Sequence, residues 1–120
     1  MSALPPIRID AVEAAPMVVW VRAMNDDNPI HVDPAVADAL GFGPRTVNPG
    51  PMNLAYAMNL LLAATPDRPI AAIEARFLGN VQSGDSVRAE GTQEGDTATL
   101  RLVRAEDGAV LVDAVARLRE

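Results

Sequence analysis

Residues 51–64 read Pro51-Met52-Asn53-Leu54-Ala55-Tyr56-Ala57-Met58-Asn59-Leu60-Leu61-Leu62-Ala63-Ala64. Proline suits a first helical turn, and no glycine or second proline interrupts the run from Met52 to Ala64. Leu54, Met58, Leu61 and Leu62 recur at helical spacing with Ala55 beside them, so the stretch predicts one long helix with that apolar face. Ala55, Ala57, Ala63 and Ala64 are small enough to let a sheet approach closely. Pro66 and Pro69 end the helix.

After Pro69 the texture changes. Ala71, Ile73, Ala75 and Phe77 alternate with Glu74 and Arg76, and Val87, Ala89 and Gly91 alternate with Arg88, Glu90 and Thr92. Ser83-Gly84-Asp85, Glu94-Gly95-Asp96 and Glu106-Asp107-Gly108 are turns, with strands expected over residues 97–104 and 109–118. Evenly spaced short strands joined this way form an antiparallel meander. The simplest packing lays the long helix across one face of that sheet, an α+β layer architecture.

Upstream of the helix, residues 7–12 read as a first strand. Pro16 opens a short segment over Met17–Met24, whose β-branched Val18, Val19 and Val21 weaken a helix. Residues 25–29 (Asn-Asp-Asp-Asn-Pro) are a loop by composition. Asp33 as N-cap and Pro34 at the first position start another helix, closed by Gly41. A second loop spans residues 41–50.

Composition narrows the chemistry. The chain has 120 residues, the size of one domain, and we take residues 1–120 as that domain. Cysteine is absent and there is one histidine, His31, which excludes thiol chemistry and a multi-histidine metal site. All ten basic residues are arginine, which excludes a Schiff-base or P-loop lysine. A net charge of −6 without a basic run argues against nucleic acid and against an anionic membrane surface. The mostly apolar stretch at residues 52–65 is too short to span a bilayer, and residues 1–8 lack the apolar core of a secretory signal. A cytoplasmic location is therefore expected.

The segment Asp26-Asp27-Asn28-Pro29-Ile30-His31 sets a carboxylate and the single imidazole five residues apart, in a loop stiffened by Asn-Pro. Such a pair can share the movement of protons on a small molecule near neutral pH, because an imidazole ordinarily titrates near 6.5. The same residues also suit a purely structural role, as Asx turn formers and a histidine beside a helix start. Composition and spacing alone favour that plainer role.

The segment resembles the signature of the MaoC-like, or R-specific enoyl-CoA hydratase 2, family, which reads Gly-Asp-x-Asn-Pro-hydrophobe-His. Supporting features come in the same order along the chain. They are Asp33-Pro34 with an Ala-rich helix to Gly41-Phe42-Gly43, then Pro49-Gly50-Pro51-Met52 at the long helix, then Arg76-Phe77, Val81 and Gly84-Asp85-Ser86-Val87. The resemblance runs from about Val12 to Leu118. Three positions depart from it. Met24-Asn25 stand where Ser-Gly is common, Pro49-Gly50 where His-Gly is common, and Asp27 adds a second carboxylate beside the presumed catalytic one.

The resemblance implies a single hotdog domain, a long central helix wrapped by a curved antiparallel sheet. It implies reversible addition of water across a trans-2-enoyl thioester, giving the (R)-3-hydroxyacyl product: a hydro-lyase, with coenzyme A or acyl-carrier protein as part of the substrate and no other cofactor or metal. Asp26 and His31 would hold the water, Asn28 and Pro29 would position the loop, and the Gly50 N–H would meet the thioester oxygen. Pro51 has no N–H and cannot serve. Hotdog domains pair through their sheets, so a homodimer or higher oligomer is expected, with a heteromer also open, and a chain of this length is expected to need a second chain to complete a site. Met52, Tyr56 and Met58 are candidates for the acyl pocket, though helical apolar stripes usually serve the core. Trp20 reads first as core or interface. Arg45 and Arg68 are nominal partners for coenzyme A phosphates. A hotdog thioesterase and a binding subunit of a heteromeric hydratase are the competing functions.

Overall fold

The computed structural model describes all 120 residues. Its elements are β1 (Ser2–Ala3), β2 (Ile7–Ile9), α1 (Ala15–Met24), a 3-10 turn (Pro29–His31), α2 (Pro34–Ala39), α3 (Gly50–Ala64), β3 (Ile70–Phe77), β4 (Val87–Glu94), β5 (Thr97–Arg104) and β6 (Val110–Leu118). The strands form one antiparallel sheet in the order β1-β4-β5-β6-β3, with β2 also beside β4. α3 lies across the sheet, against β4 and β5 most closely. This is the hotdog architecture, a helix held in a curved sheet.

The meander forms over β4, β5 and β6 only; β3 departs from it and crosses to the far edge, beside β6 rather than β4. Ala98, Leu100 and Leu102 of β5 are buried, while Thr97, Thr99 and Arg101 face solvent. Gly95 turns the β4–β5 hairpin at φ 59°, a left-handed conformation that glycine adopts without strain. Gly91 has a packing reason instead. A Cβ there would lie 2.5 Å from the Thr99 carbonyl oxygen, so any side chain would push the two strands apart.

Three details differ from the sequence expectation. The helix face is rotated: α3 buries Asn53, Ala57, Leu60 and Leu61, while Leu62 is 42% exposed and Leu54 and Met58 are half-buried. Leu60, Leu61 and Leu62 run consecutively, so the apolar pattern has no sharp edge, and the close approach at fully buried Ala57 sets the centre. In β3 the register shifts between Ile70 and Ala72, so Ile70 packs against the core and Ala71 is exposed. The N-terminal strand is shorter than residues 7–12, and β1 precedes it. α1 forms despite its valines, because Met17 is completely buried and packing outweighs propensity. No helix is long and apolar enough to cross a membrane.

Candidate active site

The chain leaves α1 through Asn25, the only non-glycine residue at positive φ (53°). Its N–H and that of Asp26 donate back to Val21 and Arg22 carbonyls, closing the helix and reversing the chain. Asparagine tolerates this conformation, which is how the sequence does without glycine before Asp26. Two Asx turns come next in series. The Asp26 Oδ1 accepts from the Asn28 N–H at 2.9 Å, and the Asn28 Oδ1 accepts from the Ile30 N–H at 3.3 Å. Pro29 then opens the 3-10 turn that carries His31.

His31 is 9% exposed. Its Nδ1 lies 2.7 Å from the Val47 carbonyl oxygen. A carbonyl only accepts, so Nδ1 carries the proton, and in the neutral ring Nε2 carries a free lone pair. That Nε2 faces the Asp26 Oδ2 at 3.6 Å, beyond direct hydrogen-bond reach. The ring meets Trp20 edge-on, with centroids 6.5 Å apart. Trp20 is half-buried and also lines an apolar groove with Pro16, Val19, Ala23 and Met52.

Val47 links this turn to α3. Its N–H donates to the Ile30 carbonyl at 2.9 Å while its own carbonyl holds His31. Gly50 stands three residues on, at the start of α3. A Cβ at Gly50 would come within 3.4 Å of the Phe77 ring. The intervening Asn48 is buried, and its amide donates to the Asn53 Oδ1 at 2.7 Å, bracing the first turn of α3. Burial raises the Tyr56 hydroxyl above its ordinary pKa, and a hydrogen bond with the Asn48 side chain works in the other direction.

The sequence candidates thus fall into two groups. Asp26, Asn28, Pro29 and His31 share one turn, while Gly50 stands at the start of α3, three residues beyond Val47. Arg45 and Arg68 are engaged within the chain, Arg45 with Asp85 at 2.8 Å and Arg68 with Asp96 at 2.6 Å. Met52, Tyr56 and Met58 are half-buried along α3, and Tyr56 packs against the core. Asp27 is exposed and makes no ion pair. Val47 escapes a reading of the sequence because it acts through its backbone carbonyl, which no residue type announces. Asn48 and Asn53 are visible there as polar residues flanking and interrupting an apolar stretch.

A profile of the family described as MaoC like domain matches residues 7–114. The chain belongs to this family. No match is found among curated protein sequences. This MaoC-like domain superposes on the (R)-hydratase from A. caviae involved in PHA biosynthesis with a TM-score of 0.82 and 25% identity, covering 99% of this chain and 96% of that one. It is similar in fold to the ChsH1-ChsH2 complex from Mycobacterium tuberculosis, with TM-score 0.82, 19% identity and coverage of 98% and 94%. It is likewise similar to a MaoC-like dehydratase from Phytophthora capsici, with TM-score 0.84, 22% identity and coverage of 100% and 41%.

Proposed function

We propose that this MaoC-like domain is an enoyl-thioester hydratase or dehydratase, adding water reversibly to a trans-2-enoyl thioester of coenzyme A or acyl-carrier protein to give the (R)-3-hydroxyacyl thioester, in the cytoplasm. The observation that carries the reading is the lone pair of His31 Nε2 facing the Asp26 carboxylate across 3.6 Å, with Nδ1 held as a donor by Val47. Two facing acceptors at that distance suit one water that donates a hydrogen to each. Membership of the family and the likeness to the A. caviae (R)-hydratase support the same chemistry.

In this reading the water lies between the two acceptors, and Asp26 and His31 divide the path of its proton. The water oxygen bonds to the β-carbon while its proton passes to His31 Nε2. The π electrons move to the α-carbon and the thioester oxygen, where the Gly50 N–H meets the developing charge at the start of α3. The imidazolium passes that proton to Asp26, Asp26 delivers it to the α-carbon, and the pair is restored. Asn28 and Pro29 position the two groups.

Hydration of crotonyl-CoA, monitored by loss of the conjugated enoyl absorbance, tests this. Asp26→Asn and His31→Gln should each lower kcat by about a hundred- to ten-thousand-fold while leaving the fold intact. Near-normal rates in both folded variants would sink the assignment. Release of free thiol outpacing hydration would point to a thioesterase instead.

A further inference from the structure

The acceptor that holds His31 is a backbone carbonyl, so its direction is set by the path of residues 46–48. These residues lie beside residues 81–83 as a single antiparallel pair, Val47 with Gln82. The bonds of that bridge come from the flanking residues. The Asn48 N–H donates to the Val81 carbonyl at 2.7 Å, and the Ser83 N–H donates to the Thr46 carbonyl at 2.9 Å. In a pair of this kind the central residue's own N–H and C=O point away from the partner. For Val47 that outward side is the 3-10 turn, where its N–H meets the Ile30 carbonyl and its carbonyl meets His31 Nδ1. Sliding residues 46–48 by one position turns the Val47 carbonyl toward residues 81–83 and leaves the imidazole without its acceptor.

Two backbone bonds hold that register only thinly, and the Gln82 side chain adds a further constraint. Its Nε2 donates to the Phe42 carbonyl at 2.5 Å and to the Arg45 carbonyl at 3.1 Å. Both partners only accept, so both hydrogens of the amide are committed. The Gln82 N–H donates to Asp85 Oδ2 at 2.9 Å, and the buried Asp85 takes the Arg45 guanidinium on Oδ1 at 2.8 Å. Arg45 is therefore gripped twice, by its carbonyl and by its side chain. The side chain is long and half exposed, so the ion pair tolerates a slip of the backbone behind it. The amide grips the main chain itself, two positions before Val47, and does not.

We propose that Gln82 is a positioning residue for the acid–base pair. By locking the loop that leads into Val47 it aims the Val47 carbonyl at Nδ1, and so decides which nitrogen of His31 carries the proton. It acts through the backbone of Val47, not on the imidazole itself. Its effect on turnover rests on the hydratase reading above, in which a bare Nε2 faces the water. Its effect on the tautomer does not.

A chain with a single histidine makes the test direct. In the full chain carrying isotope-labelled histidine, a two-bond proton–nitrogen spectrum shows which ring nitrogen bears hydrogen. At alkaline pH, where an imidazole is neutral, the wild type should show hydrogen on Nδ1 and a bare Nε2. Gln82→Met keeps the length of the side chain and removes the donor, so its ring should shift toward hydrogen on Nε2. Gln82→Glu keeps the shape and offers the two carbonyls no hydrogen, so it should shift the same way, and it serves if Gln82→Met does not fold. Gln93→Met removes a similar bond, from the Gln93 amide to the Gly95 carbonyl at 3.1 Å on the exposed β4–β5 turn, and should leave the ring as in wild type. In crotonyl-CoA hydration the Gln82 variants should lose about ten- to a hundredfold in kcat with KM little changed. A wild-type ring with its hydrogen on Nε2, or Gln82 variants whose ring matches wild type, would overturn the proposal. A Gln93→Met ring that shifts as far as theirs would overturn it too. Unchanged kcat in Gln82 variants with a shifted ring would overturn its part in catalysis. A wild-type chain inactive on enoyl thioesters, with the ring shifting as stated, would sink the hydratase reading and uphold the positioning role.

Discussion

Asn25 shows how one residue sets up a site without belonging to it. Its left-handed backbone turns the chain out of α1 so that Asp26 emerges toward His31. A β-branched side chain cannot hold that conformation cheaply. Asn25→Val should cost about 1–2 kcal/mol in urea denaturation, and Asn25→Gly should cost nothing or stabilise slightly. Equal stability of the three chains would show that the turn is not strained. At this scale the sequence is informative where partners are local. Asp26, Asn28 and His31 lie within one six-residue stretch, and their types and spacing make the turn readable. The Val47 carbonyl is not readable, because what matters is where a backbone oxygen falls after sixteen intervening steps of chain.

At the scale of elements, strands are more legible than the helix face. Alternation has only two phases, so residues 97–104 and Val87, Ala89 and Gly91 fall where the pattern puts them. A helix has many possible orientations, and the leucine run of α3 leaves several nearly equal, which is why Ala57 rather than Leu62 faces the sheet. Glu90, bonded by Arg88 and Arg101 of the sheet, carries a pH dependence of its own. Burial pushes the Glu90 carboxyl up, but hydrogen bonds from Arg88 and Arg101 and their positive charges outweigh it and leave the pKa below the ordinary 4.5. The stability this adds is therefore full above the ordinary value and is lost as pH falls through the lower, folded value. Glu90→Gln should remove that contribution. Its melting temperature should fall below wild type at neutral pH, and the two should converge at strongly acid pH. A difference that persists unchanged into acid would rule the Glu90 carboxylate and its two arginines out as the source.

For the molecule as a whole, the order of elements is readable in the sequence and their assembly is not. One long helix followed by four short strands already implies a helix laid on a sheet. Which edge stays open depends on strand order, and β3 becomes an edge only because β6 returns to lie beside it. If that edge joins a second copy, folding and association are linked, and the melting temperature of the wild-type chain should rise with protein concentration. A wild-type melting temperature flat across dilution would contradict the linkage.

The bond from His31 to the Val47 carbonyl has a further consequence. It fixes one ring nitrogen as a permanent donor, and the chain holds no other imidazole. Any change in imidazole protonation therefore occurs at the nitrogen facing Asp26. Proton exchange at this ring has a single doorway, and that doorway opens toward Asp26.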